Sequence, residues 1–419
     1  MVEIANSAVV RSASVKDVIG KRPQAKATPP DGDALAPLTA VDASQWHALA
    51  ERAVEPNGYY LPDWELAVNA TARGRTGVSA LSAWSEASSA QDSAARLIGL
   101  LPVISMWRAW KIPLPALVSA HPYGTLCTPL LDRDMADDAV ISLMQQARKA
   151  GAHALILRDV SLGGAAMQAF TEVLRQGGMH PVVLQSHVRA CLDAARDAEE
   201  LLRDALGAKK LKELRRQRNR LAEHGAVRFD VARTPEDVAA ALEILLALEA
   251  SGWKAKRGTA LIQHDGDTGF IRRAAPALAA NSQCEIVTLR AGDTPVAAAI
   301  VLRHQDRAFY FKLGVDERFA KYSPGVQLTL ELTRHLCADP AIATADSTAA
   351  ADHPMINPIW RGRFAIGDVL IPLRQNDPVV SLIHAVLTLR RLVRELARRT
   401  VHFIRDRRAR SSRMTSLKF

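Results

Sequence analysis

Hydrophobic and polar positions run along this chain in two successive rounds of the same kind. In the first, alternating or continuous apolar runs at 78–85, 96–105, 125–131, 154–160 and 181–189 read as strands, and a 3.6-residue period predicts helices at 43–53, 137–150 and 165–176. A long helical pattern at 197–223 joins the rounds, with Leu206, Leu211, Leu214 and Leu221 on one face and Gly225 as its stop. The second round opens with a strand at 227–232 and a helix start at Thr234-Pro235-Glu236-Asp237. There Thr can cap, Pro suits the first turn, and the acids oppose the positive end of the helix dipole. That helix runs to about Ala250; strands at 284–290, 295–303, 308–315, 342–346 and 363–372 follow, with helices at 326–336 and 355–360. The order of elements in the two rounds is parallel, which predicts an α/β fold present twice in tandem.

Length agrees, because 419 residues exceed the usual reach of one hydrophobic core. The expected division is a disordered tail over 1–40, an N-terminal unit over 41–192, a connecting basic helix over 193–225, a C-terminal unit over 226–376, and a basic amphipathic helix and tail over 377–419. An apolar content of 48% with 23% charged residues is that of a soluble globular protein. No apolar run reaches bilayer-spanning length, and the start lacks the apolar core of a secretory leader. Cys127, Cys191, Cys284 and Cys337 are far apart, without CxxC or metal-ligand spacing, so they read as buried thiols in a reducing cytoplasm, with no metal.

The net charge of +10 is concentrated in two segments. One is the basic helix face over 209–220; a solvated face is the ordinary explanation, an anionic substrate or the inner membrane leaflet the alternative. It holds no aromatic side chain to stack on bases, which weighs against nucleic acid. The other lies beyond Pro378, where Leu382, Val386, Leu389, Val393 and Leu396 share one side and Arg391, Arg394, Glu395 and Arg398 another, before Arg405, Arg407, Arg408, Arg410 and Arg413. This pattern fits a helix packed on the body, or a peripheral anchor on anionic membrane.

Candidate chemistry gathers in the second round. Glu249-Ala250-Ser251-Gly252-Trp253-Lys254 sets a tryptophan and a lysine in a glycine-flanked break after a helix, and Gly258-Thr259-Ala260 follows. Phe309-Tyr310-Phe311-Lys312-Leu313-Gly314 leads through Asp316-Glu317-Arg318 to Lys321-Tyr322-Ser323-Pro324-Gly325-Val326, then to Ala345-Asp346-Ser347 and to Asp352-His353-Pro354 before Trp360. In this order, across 196–374, the blocks resemble bacterial members of the GNAT acyltransferase superfamily, in its BioF2-like, CelD or FemAB-like group. Pro122-Tyr123-Gly124-Thr125 to Leu130 is a weaker echo in the first round.

The resemblance implies two tandem GNAT-like domains in a FemABX-like arrangement. It also implies an N-acyltransferase that moves an acyl group from acyl-CoA to an amine or hydroxyl of a small molecule or a glycan or envelope precursor; CelD-type relatives point to exopolysaccharide synthesis. A Fem-like transferase using aminoacyl-tRNA, and a non-catalytic scaffold of an exopolysaccharide synthesis complex, are the competing readings.

In this superfamily a loop between a central strand and the next helix offers backbone N–H groups to the donor's pyrophosphate, and Lys321, Tyr322, Ser323, Gly325 and Val326 occupy that place. Gly325 has no glycine three residues earlier, a departure from the usual signature that puts coenzyme A itself in question. A plain Ser-Pro helix start is the other reading. Glu249, Trp253, Lys254 and Lys312 are the candidates for holding substrate, against a helix end with the tryptophan packed inward. Acyl transfer to an amine needs a base and a proton donor. Asp346 at a strand end, His353 in a turn, and Tyr310, which by two-residue spacing shares a strand face with Lys312, are the candidates; purely structural roles are the alternative for each.

Overall fold

The computed structural model describes residues 35–85, 95–251, 258 and 260–416. Its strands are β1 (Ala36–Pro37), β2 (Ser79–Trp84), β3 (Leu97–Ser105), β4 (Ala116–Ser119), β5 (Leu130–Leu131), β6 (Ala154–Ser161), β7 (Val182–Asp193), β8 (Val227–Ala232), β9 (Cys284–Ala291), β10 (Thr294–His304), β11 (Arg307–Val315), β12 (Thr344–Asp346) and β13 (Gly362–Pro372). They form one sheet in the order β1-β2-β3-β4-β6-β13-β7-β12-β11-β10-β9-β8, with β5 beside β3. The helices are α1 (Ala43–Glu51), α2 (Pro62–Thr71), α3 (Met106–Trp110), α4 (Ala136–Lys149), α5 (Ala165–Gln176), α6 (Ala198–Leu221), α7 (Pro235–Ser251), α8 (Asp265–Ala280), α9 (Pro324–Cys337) and α10 (Pro378–Ser416).

The tandem repetition is visible in the pairing. Neighbouring strands are antiparallel except for β4 with β6 and β11 with β12, and each parallel pair is joined through a helix, α4 in one half and α9 in the other. The halves are interleaved. β13, which its sequence position assigns to the second unit, lies between β6 and β7 of the first, pairing antiparallel with both. α7 packs on one face of the second half and α9 on the other, so side chains of β10 and β11 divide alternately between two cores.

Most elements fall where the periodicity places them, and the departures have local causes. β4 is four buried residues, Ala116–Ser119, too short to show an alternation. The strand expected at 125–131 shrinks to Leu130–Leu131, and 355–360 is a run of turns rather than a helix. α8 contains Gly266, Gly269 and Pro276, which a propensity reading penalises; burial of Phe270, Ile271, Ala274 and Leu278 overrides it. On α10 the expected apolar seam is reversed. Ile383 and Leu387 are buried against Met106, Val118, Ile156 and Leu370, while Leu382, Leu389, Val393 and Leu396 are exposed. No helix among the described residues is long and apolar enough to cross a membrane.

His304, at the end of β10, ties the halves together. Its Nδ1 accepts from the Asn57 N–H at 2.8 Å and its Nε2 donates to the Ala50 carbonyl at 2.9 Å. Burial pushes this imidazole down to about 4, with Arg307 adding to the effect and Asp306 opposing it. Protons therefore bind the unfolded chain before the folded one. Stability from this group is full above about pH 6.5 and falls as pH drops toward 4, by up to about 3 kcal/mol. Denaturant titrations at pH 7 and pH 4.5 should show that loss, and His304→Gln should shrink the difference.

Candidate functional site

β11 and β12 pair in parallel only over Arg307↔Thr344, Ala308↔Ala345 and Phe309↔Asp346. Beyond that point β11 continues to Val315 against β10, while the chain leaving Asp346 turns away. The two strands thus splay. A cavity of about 700 Å³ fills the opening, within the size range of small-molecule sites. Its walls are β11 from Tyr310 to Val315, the start of α9 at Ser323 to Val326, Ser347 to Ala349 after β12, the end of α7 at Leu248 and Glu249, and His353, Met355 and Ile356.

A β-bulge shapes β11. Ile300 pairs with Lys312 and Val301 with Tyr310, leaving Phe311 as the extra residue. The bulge corrects the expectation that Tyr310 and Lys312 share a strand face. Tyr310 lies in the core under α9 and Lys312 turns to α7, because the inserted residue shifts the alternation by one.

Lys312 Nζ reaches Glu249 Oε1 at 3.1 Å, and the other Glu249 oxygen accepts from the Leu261 N–H at 3.1 Å. The Glu249 side chain is fully buried and that of Lys312 is 17% exposed. Gly314 permits this approach of α7, since a Cβ there would stand 3.1 Å from both the Leu245 carbonyl oxygen and the Leu248 Cβ. Tyr310 is buried, and its hydroxyl lies 3.2 Å from Thr329 Oγ1. Thr329 gives its own proton to the Gly325 carbonyl at 2.8 Å, so Tyr310 is the donor in that chain. Burial pushes its phenol up to about 12, which keeps it protonated at neutral pH.

The turn before α9 suits an anion. Ser323 adopts a left-handed conformation, φ 54° and ψ 53°, and its side chain makes no capping bond to the helix. Pro324 brings no N–H, so Gly325 and Val326 open the set of N–H groups without intrahelical partners, at the positive end of a 14-residue helix. Thr348, on the facing wall, is also left-handed at φ 50°, and its hydroxyl donates to the Tyr310 carbonyl at 2.6 Å.

Several expected site residues stand elsewhere. Asp346 does not reach the cavity: it is 1% exposed and both oxygens are held by Arg189, with Nε to Oδ1 at 2.7 Å and Nη2 to Oδ2. Oδ1 also accepts from the Thr348 N–H at 2.9 Å, and Arg189 reaches back to the Thr125 carbonyl at 2.7 Å. A carboxylate committed to an arginine inside the core is no proton acceptor for a substrate it does not face; it fixes the Ser347–Thr348 wall. Tyr322 is buried with its hydroxyl 2.9 Å from His224 Nε2, and Lys321 lies over the Tyr322 ring at 4.8 Å; neither lines the cavity. His353 does line it, and its Nδ1 accepts from the Met355 N–H at 3.3 Å, which places the proton of the neutral ring on Nε2. Trp253 and Lys254 lie outside the described residues. Thus Glu249, Tyr310, Lys312, Ser323, Gly325, Val326 and His353 share one cavity. Thr348 in the wall and Arg189 in the core behind it were missed, because only the sheet topology brings them together there.

Residues 208–353, which hold all of this lining except Met355 and Ile356, match the acetyltransferase (GNAT) domain family. That segment is a GNAT-type domain. The cavity lies at the diverging parallel pair of this GNAT domain, ahead of its α9. Among solved structures, the chain resembles FemX at 10% identity and a TM-score of 0.50, over 82% of this chain and 98% of that one. It also resembles the C-terminal domain of an Agrobacterium fabrum protein described as a lysylphosphatidylglycerol synthetase, at 13% identity and a TM-score of 0.47, over 82% and 95%. A tandem GNAT protein from the clavulanic acid biosynthesis pathway aligns at 15% identity and a TM-score of 0.37, over 82% and 99%. No curated protein matches the sequence. At such identities the likeness is one of fold, and the α/β chain has a two-domain GNAT-like arrangement.

Proposed function

We propose that the protein is an acyltransferase whose GNAT domain binds an acyl thioester, acyl-CoA, in the cavity between β11 and β12 and passes the acyl group to an amine or hydroxyl of a small molecule or envelope precursor. The observation that carries this reading is the cavity at the strand splay, with a helix N-terminus at one wall and the part-buried Lys312–Glu249 pair at another. In this reading the Gly325 and Val326 N–H groups receive the pyrophosphate. The stretch of β11 beyond the end of its pairing with β12 holds the thioester arm, and the Nε2 proton of His353 polarises the acyl carbonyl or meets the leaving group. Lys312 and Glu249 orient the acceptor. Tyr310 supports the donor turn through Thr329 rather than giving up its proton.

Aminoacyl-tRNA as donor is the second reading, favoured by the likeness to FemX over both halves and by the net charge of +10. Native mass spectrometry of the purified chain separates them: a CoA species supports the first reading, tRNA the second, and neither species even after incubation with acetyl-CoA supports a scaffold.

The exposed leucines of α10, followed by the arginines from Arg405 on, also support peripheral attachment to anionic membrane. Vesicles rich in phosphatidylglycerol should sediment the full chain at low salt and release it at about 0.5 M salt, where screening is short-ranged. A chain ending at Thr400 should sediment less, and equal sedimentation would remove the tail from this role.

A further inference from the structure

We propose that the first half carries a second ligand site, a cationic pocket for a phosphoryl group at its own diverging parallel pair. β4 and β6 pair over Ala116↔Ala154, Leu117↔Leu155 and Val118↔Ile156, after which the chain leaves β4 through Ala120 and His121. A cavity of about 220 Å³ opens there, at the position that the larger cavity occupies in the second half. That volume admits a phosphate ester and a short stem, not a nucleotide.

The lining is what assigns the ligand. Among the described residues, Arg75, Arg108, Arg158 and His121 contribute every ionisable group of the wall, and no carboxylate lines it. Arg108 is held by the Thr76 and Gly77 carbonyls. Arg75 donates to the Arg73 carbonyl at 3.2 Å and lies 4.6 Å over the Tyr123 ring. Both guanidinium groups are thus fixed in place before any ligand arrives. The Arg158 guanidinium has no hydrogen-bond or ion-pair partner among the described residues, and His121 Nδ1 is buried with none. Burial, with Arg75 and Arg158 close by, pushes His121 down to about 3, so it is a neutral hydrogen-bonding group at physiological pH. Glu65, which feels the charge of Arg75, is fully buried with neither oxygen partnered, and burial pushes its carboxyl well up; Asp159, beside Arg158, is also pushed up by burial and by Asp368. Three guanidinium groups on one wall form a site for a phosphoryl anion, which arginine's planar donors match.

The phosphoryl group can belong to a soluble ester or to a phospholipid headgroup. The second source is physically reachable because α3, which supplies Arg108, also exposes Trp107, and Arg390 of α10 lies 5.0 Å over the Trp110 ring.

The test is calorimetric titration of the full chain with inorganic phosphate and with glycerol 3-phosphate. Saturable binding is expected, weakened about tenfold or more by Arg158→Gln, as for loss of one charge-assisted contact. Ala109→Phe, which obstructs the pocket without changing its charge, should weaken it likewise, whereas Gly325→Ala at the other cavity should not. Circular dichroism of each variant verifies the fold. No saturable binding by the wild-type chain, or binding indifferent to both Arg158→Gln and Ala109→Phe, would overturn the proposal. Phosphatidylglycerol vesicles then distinguish the sources: Arg158-dependent sedimentation that glycerol 3-phosphate competes away assigns a headgroup, and phosphate binding with Arg158-independent sedimentation assigns a soluble ester.

Discussion

Arg189→Met is expected to destabilise the protein by about 3–5 kcal/mol, the range for removing one partner of a buried ion pair. Arg189 and Asp346 are each 1% exposed, so the substitution leaves a carboxylate in the core without its bidentate partner. The damage extends beyond the pair. Asp346 holds the Thr348 N–H and Arg189 holds Thr125, whose hydroxyl donates to the Thr348 carbonyl at 3.1 Å. The wall of the larger cavity therefore loosens with the core. Guanidinium denaturation should show a large fall in midpoint, and the double change Arg189→Met with Asp346→Leu should recover most of it, since the unpaired charge is then gone. Equal losses in the single and double variants would mean that shape, not charge, governs this region.

Gly325→Ala is expected to lower affinity for CoA by about tenfold or more while reducing stability by only about 1–3 kcal/mol. A Cβ at this position would stand 3.1 Å from Leu313 Cδ2, 3.2 Å from Val315 Cγ1 and 3.4 Å from Met355 Sδ, all of them cavity residues. The neighbours must yield by tenths of an ångström, and the new methyl group occupies the floor beneath the N–H groups that receive the donor. A larger β-branched residue would confound binding with folding, which makes alanine the informative change.

Much of the fold was legible because its helices and longer strands bury one face. α4, α5, α7 and α9 show that period, and the strands from β8 to β11 alternate or run continuously apolar. The site was legible in part. Ser323, Gly325 and Val326 stand between a strand and a helix in sequence as in space, so local order alone finds them. Asp346 misled, because a carboxylate at a strand end reads the same whether it faces a cleft or a core arginine. Its partner is 157 residues earlier in the chain, on β7, and only the pairing of β12 with β7 brings the two together. The bulge at Phe311 was equally hidden, since nothing in Phe309-Tyr310-Phe311-Lys312 breaks the alternation that the structure shifts. The interleaving of β13 is likewise a long-range pairing without a local signal.

The central claim is that an acyl-CoA donor occupies the splay between β11 and β12, and amide hydrogen exchange of the full chain with and without CoA tests it directly. Protection is expected at residues 310–315, at 323–326 and at 347–349, the three walls that the donor would bridge, and it should be lost in Gly325→Ala. Binding without protection at these walls, or no binding of CoA by the folded chain, would contradict the account.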